Sequence, residues 1–245
     1  MNVKILEDVL RKKEKSPING YTKKEIKDFT EEKIKNFTEE QIKQFTGYQI
    51  KSFTNYQISY FTSHQIGWFI KEQIRSFTRE QINWFTNYQI NRLTGYQISC
   101  FTCEQISYFT YEQLKWFADY QIRSFTKEQI KSFTREQIRW FTGHQIKSFT
   151  EEQIKSFTKE QIKQFTNYQT EWFTNYQIRY FTREQIRYFT KKQIECFMDY
   201  QVKSFTKEQI SWFTKEQINW FTKEQIKILI NIMKNRLDLT KSYYV

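Results

Sequence analysis

The sequence predicts an all-α protein, a solenoid of 26 octapeptide mini-helices with slightly more than three octads in each superhelical turn. Three observations support this fold class. An eight-residue phrase, Thr-x-x-Gln-Ile-x-x-Phe, runs from Thr22 to Leu229 without insertion or deletion. Each phrase carries a helix-capping signature, and a slower recurrence close to 24 residues lies over the octads. A short period held over this length is typical of an architecture in which each unit packs only on its neighbours.

The octad has four nearly constant positions, numbered here from the threonine. Position 1 is Thr, position 4 is Gln, position 5 is Ile and position 8 is Phe, and all 24 phenylalanines of the chain occupy position 8. Position 1 differs at Ile70, Ala118 and Met198, and position 4 differs at Glu25 and Lys33. Position 5 differs at Leu114, Thr170 and Val202, and position 8 differs at Leu93 and Leu229. Positions 2, 3, 6 and 7 vary, so we expect them to face solvent or the adjoining turn.

The constant residues predict one short helix per octad. Thr followed by Gln three residues later, just before an apolar residue, is a capping box, in which each side chain bonds to the other residue's backbone amide. An N-cap has non-helical backbone angles, so each Thr marks the corner between two helices. Ile and Phe are three residues apart and share one helical face. Because such short helices are not stable alone, neighbouring octads must bury these faces together.

Two other architectures were weighed against the solenoid of mini-helices. In one continuous helix the apolar pair would drift about 80° per octad and surround the helix after four or five octads. A β-solenoid would need period-two alternation and Gly or Asn turn signals, which the octad lacks. Both are weaker interpretations of the pattern than short helices joined at threonine caps.

The slower period appears at position 3, which is Glu in most octads and Tyr or His in ten of them. Many of these aromatic residues are 24 residues apart, as in the series Tyr96, Tyr120, His144 and Tyr168, and the phase slips by one octad before Tyr96 and again before Tyr176. A coil with slightly more than three octads per turn explains the spacing together with its slips. Duplication of a 24-residue unit explains the spacing alone.

The two ends leave the octad pattern. We expect residues 1–21 to form an N-terminal capping helix, residues 22–229 the solenoid, and residues 230–245 a C-terminal cap and tail, because solenoids need atypical terminal units. The first residues are too charged for a secretory signal, and no apolar run approaches membrane-spanning length. The chain has three cysteines, which fit a reducing cytoplasmic location. Cys100 and Cys103 form one C-x-x-C, but no second pair completes a metal site, so a structural role is favoured.

The formal net charge of +12 is concentrated at position 6, where 16 octads carry Lys or Arg. Glu at position 3 lies three residues earlier on the same helix face, so part of this charge is predicted to be balanced locally. A basic stripe of seven consecutive position-6 residues is less easily explained as an ion-paired surface: Lys115, Arg123, Lys131, Arg139, Lys147, Lys155 and Lys163.

The chain lacks the residue sets of an enzyme, and no cofactor or metal ligand set is recognisable. We therefore expect a non-catalytic repeat scaffold that binds a macromolecular partner, most readily a protein, through positions 2, 3, 6 and 7, since Tyr and Trp are strong interface anchors. The alternative is a nucleic acid or another polyanion bound along the basic stripe, with interleaved aromatic residues for stacking. The candidate partner-binding residues are the seven cations of the stripe together with Trp84, Tyr88, Trp116, Tyr120, Trp140 and His144. The oligomeric state is not predicted by the sequence.

The phrase Phe-Thr-x-x-Gln-Ile resembles the tandem Leu-Thr-x-x-Gln-Ile octapeptide arrays of bacterial open reading frames. The resemblance covers residues 22 to 229. It implies a helical repeat solenoid and no catalytic activity.

Overall fold

The structure, a computed structural model, describes residues 20–234, and the proposed capping segments at 1–19 and 235–245 lie outside the described residues. Within that range the chain forms 26 short α-helices and no strand, which confirms the all-α short-repeat solenoid. The chain divides into two compact units, Met1–Phe117 and Ala118–Val245.

Unit 1 contains one helix per octad, and most of these helices span only one or two turns. Its helices are α1 Lys23–Lys27, α2 Glu31–Lys35, α3 Glu39–Gln44, α4 Gly47–Ser52, α5 Asn55–Ile58, α6 Ser63–Ile66, α7 Lys71–Ile74, α8 Arg79–Asn83, α9 Asn87–Arg92, α10 Gly95–Cys100, α11 Cys103–Ile106 and α12 Tyr111–Leu114.

Unit 2 follows the same plan, and its last helix continues past the end of the octad pattern. Its helices are α13 Asp119–Ile122, α14 Lys127–Ser132, α15 Arg135–Trp140, α16 Gly143–Ser148, α17 Glu151–Ser156, α18 Lys159–Ile162, α19 Asn167–Glu171, α20 Asn175–Tyr180, α21 Arg183–Ile186, α22 Lys191–Glu195, α23 Asp199–Val202, α24 Lys207–Trp212, α25 Lys215–Ile218 and α26 Lys223–Lys234. No helix of either unit, over the residues described, is long and apolar enough to cross a membrane.

The predicted capping box forms at nearly every corner. In a representative octad the Thr158 backbone N–H donates to Gln161 Oε1 at 2.9 Å, and the Gln161 N–H donates to Thr158 Oγ1 at 3.2 Å. The three octads without Thr keep the glutamine half, as in Ala118, whose N–H donates to Gln121 Oε1 at 2.8 Å. Glutamine therefore closes the corner even where the threonine hydroxyl is missing.

The glutamine side chain has a second role that joins successive turns. Gln161 Nε2 donates to the Ile130 carbonyl oxygen at 2.8 Å and to the Phe133 carbonyl oxygen at 3.0 Å, which lie 31 and 28 residues earlier. The same pair of bonds recurs through both units, from Gln57 to Gln113 and from Gln153 to Gln217. Position-4 glutamine thus satisfies backbone carbonyls at the end of a helix in the preceding turn.

Within each unit the apolar core is a column of Ile and Phe. Ile162 is fully buried, and Phe165 is only 3% exposed. Phenylalanines of consecutive octads meet edge to face, as do Phe157 and Phe165 at 5.1 Å between ring centroids, in the geometry that aromatic pairs prefer. Leu93 and Thr170 replace a core Phe and Ile without becoming exposed, and the Thr170 hydroxyl donates to the Thr166 carbonyl oxygen at 3.0 Å.

Contacts between successive turns join residues 24 to 31 apart, as in Phe29 with Phe53 and Gln57 with Ile26. Helices three octads apart pack against each other, for example α6 with α9 and α14 with α17. Each turn therefore contains slightly more than three octads, as the slipped 24-residue period predicts.

The glutamine bridge should contribute more stability than the threonine cap. Gln161→Met keeps a similar volume but leaves the buried Phe133 carbonyl and the Thr158 N–H without partners, each of which costs about 1–3 kcal/mol. It also removes one of the two donors to the Ile130 carbonyl, which keeps its bond from the Phe133 N–H. Thr158→Ala removes one cap acceptor and should cost about 0.5–2 kcal/mol. Denaturant unfolding of the two variants measures both free energies. Equal losses, or a larger loss for Thr158→Ala, would contradict the assigned role of glutamine.

Candidate binding surface

Most residues at the variable positions lie on the surface of each unit, but five at position 7 are buried: Ser52, Cys100, Ser148, Ser156 and Ser204. Every cation of the basic stripe is exposed, and so are Trp84, Tyr88, Trp116, Tyr120 and His144, whereas Trp140 is half-buried. The unit boundary divides these residues. Trp84, Tyr88, Lys115 and Trp116 belong to unit 1, and the remainder belong to unit 2.

Aromatic side chains at position 7 pack mainly between turns. Trp84 contacts Tyr56 at 5.5 Å between ring centroids, and Trp172 contacts His144 at 5.3 Å. In both pairs the partners are 28 residues apart, so position 7 lies over position 3 of an earlier turn. The Lys147 ammonium also lies 4.5 Å from the Trp172 ring centroid. One cation of the basic stripe therefore contacts an aromatic ring of another turn.

Small residues at position 2 make room for this packing. A Cβ atom on Gly143 would overlap the Trp172 ring, and a Cβ atom on Gly47 would overlap Ser76 Oγ. Each of these pairs is 29 residues apart. The sequence signal for this contact was the Gly or Asn that precedes many position-3 aromatic residues, although its cause could not be read from one octad.

Three position-3 tyrosines, by contrast, project into solvent. Tyr88 is 80% exposed, Tyr176 is 72% exposed and Tyr48 is 70% exposed, and their side chains make no ring or hydrogen-bond contact with a described residue. These three exposed aromatic side chains make no such contact that would stabilise the fold.

Several stripe cations are paired with acidic or polar neighbours. Lys115 lies 2.7 Å from Glu112, and Lys155 pairs with Glu151. Hydrogen bonds to these carboxylates raise the pKa of both lysines, so both remain charged but balanced. Arg139 instead donates to Gln164 Oε1 at 2.7 Å and keeps its full charge. The seven cations are therefore not equivalent, and the stripe is not uniformly basic.

Each unit contains a groove that runs across successive turns. The unit 1 groove has a volume of 510 Å³ and is lined by Lys51, Arg75, Phe77, Thr78, Arg79, Glu80, Thr102, Glu104, Gln105 and Tyr108. The unit 2 groove has a volume of 420 Å³ and is lined by Arg139, Lys163, Gln164, Phe165, Thr166, Asn167, Thr190, Lys191 and Lys192. Arg139, Lys163, Thr166 and Thr190 correspond to Lys51, Arg75, Thr78 and Thr102 after a shift of eleven octads, so the two grooves occupy equivalent places on the repeat.

The charges of the two grooves differ although their construction is the same. The unit 1 groove combines three basic residues with two glutamates, whereas the unit 2 groove has four basic residues and no acid in its lining. In unit 1, Glu80 has a lowered pKa because its own backbone N–H and the Thr78 hydroxyl bond to the carboxylate. Glu104 accepts from the Tyr108 hydroxyl at 2.5 Å, and this bond raises the tyrosine pKa. Because its pKa is lowered, Glu80 stays ionised and offsets the nearby cations at neutral pH.

No cluster of three or more His, Cys, Asp or Glu side chains that could hold a metal occurs between residues 20 and 234. Cys100 is buried, Cys103 is exposed and Cys196 is half-buried, and all three are free thiols. Burial raises the pKa of Cys196, with a further contribution from Glu171 and Glu195, so its thiolate is disfavoured.

The contact between Gly143 and Trp172 gives a direct test of packing between turns. Gly143→Ala forces the indole ring to move and should cost about 1–3 kcal/mol, as overpacked sites do. In a Trp172→Ser background, which places a residue common at position 7, the same change should be nearly neutral. Gly20→Ala is the control, because an added Cβ there meets nothing within 4 Å. A double-mutant cycle by denaturant unfolding that shows no coupling would contradict this contact.

The chain matches no protein-family model and no curated protein sequence.

Proposed function

We propose that this protein is a non-catalytic repeat scaffold that binds a macromolecular partner, in the first place a protein, through positions 2, 3, 6 and 7. The observation that carries the proposal is the exposure of three position-3 tyrosines whose side chains make no ring or hydrogen-bond contact with a described residue. Positions 1, 4, 5 and 8 supply the caps, the bridges between turns and the core. Tyr48, Tyr88 and Tyr176 supply none of these.

Tyrosine at an exposed site is well suited to partner binding. Its ring buries a large area with few rotatable bonds, and its hydroxyl can bond to a partner, so tyrosine is enriched among interface residues that dominate affinity. Unit 1 offers two such anchors, Tyr48 and Tyr88, and unit 2 offers Tyr176. This arrangement supports a partner with an extended surface.

The proposed location is the reducing cytoplasm. The free state of Cys100, Cys103 and Cys196 supports it, because disulfides are rare in that compartment.

A second candidate function is the binding of a nucleic acid or another polyanion. The unit 2 groove favours it, since four basic side chains and no acid line that groove. The stripe as a whole favours it less, because Lys115 and Lys155 are balanced by glutamates of their own octads.

The proposed scaffold function predicts that exposed tyrosines can be removed without loss of stability but with loss of a partner. The combined variant Tyr48→Ala, Tyr88→Ala and Tyr176→Ala should change the free energy of unfolding by no more than about 0.5 kcal/mol per site. Quantitative affinity purification after cross-linking in the source cells should then lose at least one protein that the parent recovers. The recovered protein, once purified, should bind the variant at least about fivefold more weakly, since interface hot spots cost more than about 1 kcal/mol.

The matched control changes the same octad position in octads that carry glutamate: Glu72→Ala, Glu128→Ala and Glu184→Ala. This variant should recover the same proteins as the parent. If the tyrosine variant also recovers every protein at parental levels, the proposal is wrong.

A further inference from the structure

The unit 2 groove is lined by four basic side chains and no acid, and its charge depends on one unusual residue. Fourteen octads carry Glu at position 3, but the groove has Lys192 there. The equivalent residue of the unit 1 groove is Glu104. Lys192 is exposed and forms no ion pair with a described residue. In most octads the position-3 glutamate opposes the binding of an anion, whereas in this groove a lysine at that position favours it.

A second replacement removes the other acid of the groove. The unit 1 groove has Glu80, whereas the equivalent residue of unit 2 is Tyr168. Tyr168 is 60% exposed and directly follows Asn167, which lines the groove. The unit 2 site therefore exchanges two carboxylates for one cation and one exposed aromatic ring.

The four cations remain available to an anionic ligand, because no close ion pair with a described carboxylate occupies them. Arg139 is bonded to a neutral amide, and Lys192 is unpaired within the described residues. Lys163 and Lys191 lie 4.0 Å and 3.7 Å from Glu160 and Glu195, at the long end of ion-pair distances, and such exposed pairs contribute little. A phosphate could compete with these carboxylates at modest cost.

The groove also has the length of a short nucleic-acid segment. Arg139 lies in α15, Lys163 directly follows α18, and Lys191 and Lys192 lie in α22; these helices belong to successive turns of unit 2. Packed helices lie about 8–10 Å apart, so three turns span roughly 16–20 Å. A stacked strand advances about 3.4 Å per nucleotide, so this span covers about five or six phosphates. A flexible strand can follow the groove and place a base on Tyr168, which a closed duplex cannot do.

We propose that the unit 2 groove binds single-stranded nucleic acid, with Arg139, Lys163, Lys191 and Lys192 contacting phosphates and Tyr168 stacking on a base. This inference rests on the proposed binding role of the variable positions and assigns a ligand class to one site among them.

Lys192→Glu is the decisive variant because it converts Lys191-Lys192-Gln193 into the Lys-Glu-Gln sequence of six other octads, so the fold is expected to be kept. The ligand is a fluorescent thymidine oligonucleotide of about twelve nucleotides, within the usual site size. With about four phosphate contacts and a slope of about −0.7 per contact, the parent should lose about fiftyfold in affinity between about 50 and 200 mM salt. The variant should lose about twentyfold and bind about eightfold more weakly at about 50 mM salt, as one lost contact requires.

Two controls carry the same charge reversal. Lys24→Glu changes the other position-3 lysine of the array, and Lys131→Glu changes an exposed stripe residue of unit 2 outside the groove. Each should lower affinity much less than Lys192→Glu. If Lys131→Glu has the larger effect, the stripe and not the groove is the site, and the assignment is overturned.

The base contact is tested separately. Tyr168→Ala should weaken binding of the oligonucleotide at least about fivefold, and Tyr168→Phe should restore it, because stacking needs the ring and not the hydroxyl. Binding of polyphosphate of similar charge should not depend on Tyr168. Equal binding of polyphosphate and oligonucleotide, with no effect of Tyr168→Ala on either, would replace nucleic acid by a general polyanion and overturn the proposal.

Failure of this inference can be told apart from failure of the proposed function. If the parent does not bind the oligonucleotide at about 50 mM salt, where electrostatic binding is strong, the nucleic-acid assignment is wrong. The scaffold function is then tested by the tyrosine variant alone, through the protein that the parent recovers and the variant loses.

Discussion

The buried glutamine side chain at position 4 is the interaction on which the remaining structure depends. Its Oε1 atom accepts from the cap of its own helix, and its Nε2 group donates to two carbonyls of an earlier turn, as Gln161 does. No buried side-chain nitrogen or oxygen in the described part of the chain lacks a hydrogen-bond partner. Because an unsatisfied buried amide is costly, these bonds fix the register of successive turns. That constraint explains why the octads run without insertion or deletion.

The same constraint divides the octad into four positions that build the fold and four that vary. Since positions 1, 4, 5 and 8 are occupied by caps, bridges and core, the other four positions are free to differ from octad to octad. The two grooves show the result most clearly, because an equivalent position holds Glu104 in unit 1 and Lys192 in unit 2. A frame of this kind can change its binding chemistry by single substitutions that do not alter the fold.

The sequence alone was sufficient for the mini-helices, the threonine caps, the Ile and Phe core and the approximate number of octads per turn. Each of these follows from spacing within one octad or from the slipped 24-residue recurrence. The bonds from Gln57 to Ile26 and Phe29 could not be predicted, because the vertical register between nearly identical octads leaves no trace in their spacing. For the same reason the contact of Trp172 with Gly143 and the convergence of Arg139 with Lys192 appear only in three dimensions. In retrospect Glu25 and Lys33 were a signal, since glutamine is missing in the first two octads, where no bridge to an earlier described turn forms.

Hydrogen exchange of glutamine side-chain amides, followed by nuclear magnetic resonance, tests the central role of this residue most directly. The Nε2 protons of Gln57 and Gln161 should exchange slowly, because both are buried and bonded to backbone carbonyls. Gln41 completes a capping box without a bond from Nε2 to an earlier described turn, and Gln44 is exposed, so both should exchange rapidly. Rapid exchange at Gln57 and Gln161, at the rate found for Gln44, would contradict the account.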